Sequence, residues 1–396
     1  MSNTQKKNVP ELRFPGFEGE YSLDIFGNLA TNKSDKFNPQ NENASIDIEL
    51  DCIEQNTGRL IKIYNSKEFS SQKNKFNPQN VLYGKLRPYL NKYYFTKKSG
   101  VCSSEIWVLK STKEDKLLNL FLYYFIQTKR YSDVASKSAG SKMPRADWGL
   151  IENIRVYFPE LCEQQKIGEF FSKLDRQIEL EEQKLELLQQ QKKGYMQKIF
   201  SQELRFKDEN GNDYPEWVVK LIGDIGKVAM NKRIYKHETS ANEEIPFYKI
   251  GNFGKKADTF ISREQFNEYK EKYPYPKKGD ILISASGSIG KTIEYKGEEA
   301  YYQDSNIVWL DHNEEVLNVF LKYFYILVKW NGVEGTTIKR LYNKNILNTK
   351  IDLPTISEQQ KIDDFFCYID NLIEIQEQKL EFLKRRKQSL LQKMFV

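Results

Sequence analysis

Two long stretches of the chain repeat apolar residues at alternating steps of three and four positions. The first follows Pro159 and the second follows Pro354, and Glu, Gln, Lys and Leu, which are good helix formers, dominate both. Apolar residues at this spacing lie on one face of a helix and form a coiled-coil seam. The sequence therefore predicts two long helices, in which roughly thirty residues would span about 45 Å. The predicted apolar seam positions are Phe171, Leu174, Ile178, Leu185, Leu188, Tyr195 and Ile199 in the first helix and Phe366, Ile369, Ile373, Leu380, Leu383, Leu390 and Met394 in the second.

Polar residues interrupt each predicted seam twice, at Glu181 and Lys192 in the first helix and at Gln376 and Lys387 in the second. Polar seam residues often specify how two helices align, at a cost in stability. If the helices run antiparallel, one register places Glu181 opposite Lys387 and Lys192 opposite Gln376. We therefore predict that register. The alternative is that all four side chains turn outward to solvent.

The two stretches are copies of one another. Residues 159–200 align without a gap to residues 354–395, about 195 positions further on, and about half of the positions are identical. A fainter similarity continues upstream, where residues 140–158 match residues 335–353 with Arg145 and Arg340 in register. The remaining parts of the two halves diverge almost completely. A constant frame that carries two different inserts indicates one module used twice for two different targets.

The segments between the helices combine strand and helix patterns in the same order. Residues 104–110 and 305–311 alternate as strands do, whereas residues 117–128 and 316–328 read as buried helices. The predicted fold is α+β, with two pseudo-symmetric mixed α/β domains joined by two long antiparallel coiled-coil helices. The predicted boundaries are 1–158 for the first domain, 159–201 for the central helix, 202–353 for the second domain and 354–396 for the last helix.

Length and composition fit two cytoplasmic domains. The chain of 396 residues is long enough for two cores and contains no run of apolar residues long enough for a membrane span. Its first residues lack the apolar core of a secretory signal. The four cysteines, Cys52, Cys102, Cys162 and Cys367, have no paired spacing, so we expect buried thiols rather than disulfides or a metal site.

The formal charge of +6 is modest, but its distribution is uneven. Ten basic residues between Arg59 and Lys98 face a single acid, Glu68, and five tyrosines are interleaved with them. Such a stretch repels itself unless an anion is near, and tyrosines supply hydroxyls for phosphates and flat faces for bases. A solvated surface has the same composition, and the sequence leaves both interpretations open.

Glycine turns and loops carry the remaining basic candidates. A glycine turn bears Lys85, with Arg87 beside it, in the first half and Lys291 in the second, and we favour phosphate contact for these side chains. Residues 285–292 fall one glycine short of a phosphate-binding loop, and β-type residues follow where such a loop would open a helix. Enzyme signatures are missing: the two histidines, His237 and His312, stand in different contexts, and no methylase, cofactor-loop or metal-nuclease motif is recognisable.

In its repeated helix motif and several shorter motifs, the chain resembles the specificity subunits of type I restriction-modification systems. The resemblance rests on EQQKI followed by a Gln-Lys-Leu helix, present twice, and on PELRFPGF, VLYGKLRPYLNK and GDILISASGSIGK, and it covers essentially the whole chain. It implies two target-recognition domains, 1–158 and 202–353, that each read half of a split double-stranded DNA target. The helices would space these domains and dock two methylation subunits, and restriction subunits would join the same complex.

The resemblance also implies that this chain has no catalytic residue, metal or cofactor of its own. S-adenosylmethionine, ATP and Mg would belong to the partner subunits. The candidate DNA-binding residues are Lys62, Lys85, Arg87, Tyr89, Lys92, Lys142, Arg145, Lys232, Arg233, Lys291, Lys339 and Arg340. Two alternatives remain, a stand-alone DNA methylase or nuclease and a scaffold whose coiled coils bind only proteins.

Overall fold

The computed structural model describes residues 8–43, 45–137, 143–330 and 340–396 and divides the chain into two compact units. Unit 1 comprises Met1–Lys184 and Gln376–Val396, and unit 2 comprises Leu185–Ile375. Each unit therefore contains a mixed α/β domain together with one part of each long helix. The sequence placed both helices outside the domains, whereas the structure divides them between the units.

Unit 1 contains three sheets with strand orders β1-β11, β2-β10-β7-β8 and β3-β6-β9-β4-β5. The strands are β1 Ser22–Ile25, β2 Ala30–Thr31, β3 Lys36–Phe37, β4 Ile46–Ile48, β5 Tyr64–Asn65, β6 Lys73–Phe76, β7 Val81–Gly84, β8 Tyr93–Phe95, β9 Gly100–Cys102, β10 Ile106–Ser111 and β11 Arg155–Phe158. The helices are α1 Phe26–Leu29, α2 Asn119–Phe125, α3 Lys129–Ala135, α4 Trp148–Ile151 and α5 Leu161–Phe200. Short 3-10 turns lie at Leu50–Cys52, Ser66–Glu68 and Pro88–Leu90.

Unit 2 contains sheets with strand orders β12-β20, β13-β19-β16-β17 and β15-β14-β18. The strands are β12 Val218–Leu221, β13 Gly226–Ala229, β14 Ile245–Tyr248, β15 Phe260–Ile261, β16 Ile281–Ser284, β17 Thr292–Glu294, β18 Tyr301–Tyr302, β19 Ile307–His312 and β20 Lys350–Leu353. The helices are α6 Ile222–Ile225, α7 Arg263–Lys272, α8 Asn318–Leu327, α9 Asn343–Leu347 and α10 Ile356–Met394, and a 3-10 turn lies at Lys236–Glu238. The predicted strands and buried helices of both halves are confirmed as β10, β19, α2 and α8.

The two units share one strand order and differ in what is inserted into it. In each, a four-stranded antiparallel sheet lies beside a sheet that contains one parallel pair, β4 with β9 in unit 1 and β14 with β18 in unit 2. Unit 1 adds β3 and β6 to the second sheet, whereas unit 2 has the helix α7 in the corresponding part of the chain. Ser262 caps that helix by accepting from the Gln265 amide at 3.2 Å, and two lysines lie in its last turn.

A buried glutamate and glutamine attach each domain to its long helix. Glu163, 1% exposed in its side chain, binds Arg13 at 2.7 Å, and Gln164 accepts from the Leu118 amide at the start of α2. In unit 2, Glu358 binds Arg205 at 2.9 Å. The repeated EQQ motif therefore has a structural role: its glutamate pairs with the LRF arginine and its glutamine caps the buried helix. In unit 2 that cap runs from Gln359 to the Leu317 amide.

The predicted apolar seam residues are buried or half-buried on α5 and α10, with Tyr195 as the exception. Tyr195 is 39% exposed, and Met196 beside it is 4% exposed. In α10, Leu391 is more buried than the predicted Leu390. A straight helix drifts about 20° per heptad from a strict seven-residue repeat, so the buried face moves by one position over this length.

The predicted register of the polar seam residues is wrong. In unit 1, Lys387 lies 2.6 Å from Asp175, and the Gln376 amide donates to Glu181 at 2.7 Å. In unit 2, Lys192 lies 2.5 Å from Asp370. The contacts are antiparallel within each unit, but Lys387 and Lys192 each meet a residue six positions from the predicted partner, and Gln376 meets one eleven positions away. The prediction paired the four polar seam residues only with one another and did not consider Asp175 and Asp370, which lie beside the seams.

Two further expectations are resolved among the described residues. Cys52 and Cys102 are buried thiols, but Cys162 and Cys367 are exposed, so the expectation of four buried cysteines is wrong for two of them. Both exposed cysteines lie on the outer faces of the long helices. In the described ranges no helix has the length and apolar content to cross a membrane.

Candidate nucleic-acid interface

One ordered turn in unit 1 gathers several of the predicted basic residues. It connects β7 to β8, and the Gly84 amide donates to the Lys92 carbonyl at 2.8 Å across its base. The segment after α3 supports it from the side: Ala146 donates to the Lys85 carbonyl at 2.8 Å, and Arg87 donates to the Pro144 carbonyl at 2.7 Å. These backbone bonds fix the turn against the domain.

Unit 2 builds the same turn between β16 and β17. The Ser284 amide donates to the Lys291 carbonyl at 2.9 Å, and the Leu341 amide donates to the Ala285 carbonyl at 2.8 Å. The structural counterpart of Lys291 is therefore Lys92, and that of Lys85 is Ala285. Pairing Lys85 with Lys291 was wrong, because the shared glycine indicated the turn but not the register within it.

The two turns carry different side chains on this common frame. Unit 1 presents Lys85, Arg87 and Tyr89, of which Arg87 is exposed and Tyr89 is 57% exposed. The corresponding positions of unit 2 are Ala285, Gly287 and Ile289. The unit 1 tip is charged and aromatic, whereas the three unit 2 positions are uncharged and Ala285 is buried, so the two turns would present different surfaces to a ligand.

Three predicted arginines beside these turns are held by the turn that precedes β10 or β19. In unit 1, Arg145 binds both oxygens of Glu105, at 2.9 and 3.1 Å, and this contact lowers the pKa of the Glu105 carboxyl. In unit 2, Arg340 donates to the Ser305 carbonyl at 2.8 Å, and Arg233 donates to Asp304 at 2.8 Å. The acidic partners, Glu105 and Asp304, were not recognised from the sequence.

Four other candidates are tied to the protein elsewhere. Lys62 lies 2.6 Å from Asp51, and this ion pair raises the pKa of Lys62. Lys92 and Lys291 each donate to a backbone carbonyl, that of Leu50 at 2.5 Å and that of Phe253 at 2.6 Å. The fourth, Lys232, lies 5.1 Å from the centre of the Tyr273 ring. The last two candidates, Lys142 and Lys339, lie outside the described residues.

Part of the basic stretch of unit 1 is neutralised by acidic side chains of the same unit. Arg59 lies 2.5 Å from Glu182 of α5, and Lys75 lies 2.5 Å from Glu42. Of the interleaved tyrosines, Tyr83 and Tyr93 are only 1% and 4% exposed and cannot meet a ligand. Of the two interpretations of this stretch, pairing within the unit accounts for four of the ten basic residues, Arg59, Lys62, Lys73 and Lys75, without an external anion.

A second exposed surface lies on the long helices, outside their seams. In unit 1, Leu180 of α5 and Phe382 of α10 are 47% and 61% exposed. In unit 2, Leu187 of α5 is 57% exposed, and Tyr368 and Ile375 of α10 are 63% and 61% exposed. These residues repeat every seven positions, so each helix carries a second apolar line, here called the outer stripe. The seven-residue spacing of the outer stripe is visible in the sequence, but the stripe was not among the predicted features.

In the described ranges no group of three or more His, Cys, Asp or Glu side chains is arranged to hold a metal ion. His312 instead bonds Asn318 at 2.8 Å, and His237 stacks on Tyr235.

Known proteins match both halves of the chain. A family model described as the type I restriction modification DNA specificity domain matches residues 20–190 and again residues 214–385. A putative type I restriction enzyme specificity subunit of Haemophilus influenzae is 42% identical over 261 residues, which are 63% of this chain and 63% of that protein. The MjaVIII specificity subunit of Methanocaldococcus jannaschii is 27% identical over 321 residues, 75% of this chain and 74% of the relative.

Solved structures share the fold across nearly the whole length. A chain from a structure of a type I restriction-modification system, described for complex assembly and conformational transition, superposes with a TM-score of 0.62 at 17% identity and covers 94% of this chain and 97% of its own. The type I specificity subunit of M. genitalium gives a TM-score of 0.54 at 16% identity and covers 98% of this chain and 99% of its own. With two copies of the family domain on one chain, this protein belongs to the type I restriction-modification specificity subunit family.

Proposed function

We propose that this chain is the DNA-reading specificity subunit of a type I restriction-modification complex, in which each unit reads one half of a bipartite double-stranded target. The observation that carries the proposal is the pair of turns at β7–β8 and β16–β17. Two backbone hydrogen bonds recur in both turns, and the side chains differ at each compared position. This is the arrangement needed to hold two different recognition surfaces in the same pose.

The basic residues around the turns suit DNA contact. Lys85 and Arg87 supply positive charge to phosphates, and the turn glycines of unit 2 let backbone amides approach closely. Phosphate contacts release counterions, so binding should weaken steeply as salt rises. Residues that specify the bases would act on top of this sequence-independent attraction.

The outer stripe supports the docking of two methylation subunits, one on each unit. An apolar line at seven-residue spacing suits a helix of a partner subunit; α10 carries Tyr368 and Ile375 in unit 2 and Phe382 in unit 1, and α5 carries one such residue in each unit, Leu180 and Leu187. Catalysis would then belong to the methylation and restriction subunits, which would bring S-adenosylmethionine, ATP and Mg. The complex would act in the cytoplasm, and this chain would contribute recognition alone.

The test begins with the target itself. Methylated adenines are mapped in a genome that carries this chain with its partner subunits, and a split motif with a fixed spacer is expected. Binding of the assembled complex is then compared on the mapped duplex and on one whose spacer is longer by one base pair. The longer spacer should weaken binding strongly, since two sites on one protein must match the DNA repeat.

Equal binding to both duplexes, or methylation without a split motif, would overturn the proposal. Methylation or cleavage of DNA by this chain purified without partner subunits would favour a stand-alone enzyme. A chain that binds its partners but prefers no DNA sequence would favour a protein scaffold.

A further inference from the structure

A short loop of unit 1, residues 54–59, reaches from the domain to the long helices and is here called the brace loop. Its last residue, Arg59, lies 2.5 Å from Glu182 of α5, and Lys384 of α10 lies 2.6 Å from the same carboxylate. A single exposed ion pair contributes little, but several charges in a network hold one another in place. The brace loop therefore attaches the domain to the unit 1 part of both long helices.

The brace loop has a fixed shape. The Glu54 amide donates to the Arg59 carbonyl at 2.9 Å, and the Glu54 carboxylate accepts from the Arg59 Nε at 3.0 Å. Gly58 has a φ of +72°, and a Cβ there would lie 2.0 Å from the Tyr123 hydroxyl of α2, so the position requires glycine. These contacts fix the direction in which the Arg59 side chain leaves the loop.

The brace loop also contacts the β7–β8 turn. The Asn56 amide donates to the Asn91 carbonyl at 3.1 Å, and Gln55 forms a β-bridge with Lys92. The Tyr93 hydroxyl donates to the Asn56 carbonyl at 3.0 Å. A displacement of the turn would therefore move the brace loop and its contact with the helices.

The Arg59 contact lies far along α5 from the buried attachment at Glu163. Glu163 and Glu182 are nineteen residues apart on this helix, which is about 28 Å at 1.5 Å per residue. Tyr124 of α2 donates to Asp175 at 3.0 Å, and a cleft of about 660 Å³, lined by both α5 and the domain, extends from there to Glu182. In the part of unit 1 that the structure describes, Arg59 makes the only hydrogen bond or ion pair between the domain and α5 beyond Asp175. Two attachments this far apart fix the angle of the domain on the helix.

Unit 2 builds its domain without such a contact. Residues 249–258 connect β14 to β15, as the brace loop and its neighbours connect β4 to β5. Asn252 donates to Asp258 at 2.9 Å within this segment, and no residue of the segment forms a hydrogen bond or ion pair with the described residues of α5 or α10. The fold of the domain therefore does not require the brace, and its presence in unit 1 needs another explanation.

We infer that Arg59 is a positioning residue, which through Glu182 and Lys384 fixes the angle of the unit 1 domain on its helices and so limits the DNA spacer that the complex accepts. This inference rests on the proposed function. A target with the wrong spacer is bound only if the DNA deforms or a recognition domain tilts. Tilting the unit 1 domain would break the Arg59 contact, so this contact adds to the penalty. The preferred bases should not depend on Arg59, because its guanidinium is bound by Glu54 and Glu182.

The experiment measures binding of the assembled complex to the mapped duplex and to duplexes whose spacer is one base pair longer or shorter. The variants are Arg59→Ala, Arg59→Lys, Glu182→Gln and the double variant Arg59→Ala with Glu182→Gln. Lys75→Ala is the matched control, because it removes an ion pair of similar exposure, with Glu42 at 2.5 Å, that lies within the domain. Methylated sites are mapped for the wild type and for Arg59→Ala, so that bases and spacer are read separately.

Arg59→Ala should reduce the preference for the mapped spacer by roughly three- to ten-fold and leave the preferred bases unchanged. Arg59→Lys should keep most of the preference, since lysine can still pair with Glu182. Glu182→Gln should resemble Arg59→Ala, and the double variant should lose no more than either single variant, because both changes remove the same contact. Lys75→Ala should keep the wild-type spacer preference.

The inference is overturned if Arg59→Ala keeps the wild-type spacer preference, or weakens binding to all duplexes equally, as loss of a phosphate contact would. A change in the preferred bases, or an equal loss of spacer preference in Lys75→Ala, would also overturn it. A wild-type complex that binds all spacers equally would instead defeat the proposed function.

Discussion

Where unit 1 buries Asp47, unit 2 buries Phe247. Asp47 pairs with Val101 in the parallel β4–β9 ladder, and Phe247 pairs with Tyr301 in the parallel β14–β18 ladder. Unit 1 neutralises its carboxylate with Lys73, 2% exposed and 3.0 Å away, whereas unit 2 packs two aromatic rings 6.4 Å apart. The same strand order thus tolerates an ion pair or an aromatic core. What both units keep is the set of hydrogen bonds that attaches each domain to its helix.

The largest expected effect comes from breaking the buried ion pair of unit 1. Lys73→Met should lower the free energy of unfolding of unit 1 by about 3–5 kcal/mol, because Asp47 is left charged and buried. Burial already raises the pKa of Asp47. Urea unfolding, followed with a probe in each unit, measures the change.

A double variant sharpens this test. Lys73→Met with Asp47→Leu removes both charges and should recover most of the stability, as the aromatic solution of unit 2 suggests. If Lys73→Met alone costs less than about 1 kcal/mol, the pair does not hold unit 1 together. Unit 2 should unfold at the wild-type urea concentration in both variants.

The next largest effect is expected from removing the arginine–glutamate contact that attaches each domain to its long helix. Arg13→Ala and Arg205→Ala should each destabilise their own unit by about 2 kcal/mol, because Glu163 and Glu358 lose a charged partner but keep a second donor. In unit 1 that donor is the Tyr21 hydroxyl at 3.2 Å. Thermal unfolding of the single variants gives both values.

Similar losses in the two units would support an equivalent frame. Losses that differ by more than about 1 kcal/mol would contradict it. Arg176→Ala, which removes an exposed pair with Glu179 on the surface of α5, is the control and should change stability by only a few tenths of a kcal/mol.

A smaller effect tests the corrected helix register. Asp175→Lys and Lys387→Asp should each weaken unit 1, and the double reversal should recover about 1 kcal/mol of coupling between them. The earlier alignment predicts recovery for Glu181 with Lys387 instead. A double-mutant cycle on both pairs decides between the registers, and absence of coupling in the Asp175 pair would contradict the structure.

The smallest effect concerns a position where only unit 2 has a carboxyl. Asp363 of α10 is buried, and burial raises its pKa above the ordinary 3.8. A raised carboxyl pKa favours folding at low pH, and this contribution is lost as the pH rises through the folded pKa. Asp363→Asn should therefore match the wild type near pH 4 and be slightly more stable near pH 7.

Urea midpoints measured across this pH range test the sign. Asp364→Asn, which removes an exposed carboxyl from the same helix, is the control. Unit 1 has Gly168 at the equivalent position, packed closely on Leu120, and should not respond. The assignment would be contradicted if Asp363→Asn became less stable than the wild type as the pH rises from 4 to 7.

The fold could be predicted from the sequence because its signals are local and repeated. The seam spacing around Phe171 and Phe366 indicated both long helices, and the apolar runs near Phe121 and Phe320 indicated the buried helices. Duplication then showed that one domain is used twice. These features depend on periodicity, which neighbouring residues carry.

The candidate site could be predicted only in part, because its contacts join residues far apart in the chain. Nothing near Arg145 indicates that Glu105 binds it, and nothing near Lys387 indicates Asp175. The Lys85 turn was found, but its alignment with residue 285 required the backbone hydrogen bonds.

The order in which the units can be completed during translation follows from the chain segments that form each one. Unit 2 is one continuous segment, whereas unit 1 needs Gln376–Val396, whose Phe395 ring lies 4.8 Å from that of Phe121. On the ribosome, the second unit can therefore close before the first, although its codons are read later. A frameshift within the codons for residues 376–396 would spare the later-translated domain and leave the earlier one unfinished.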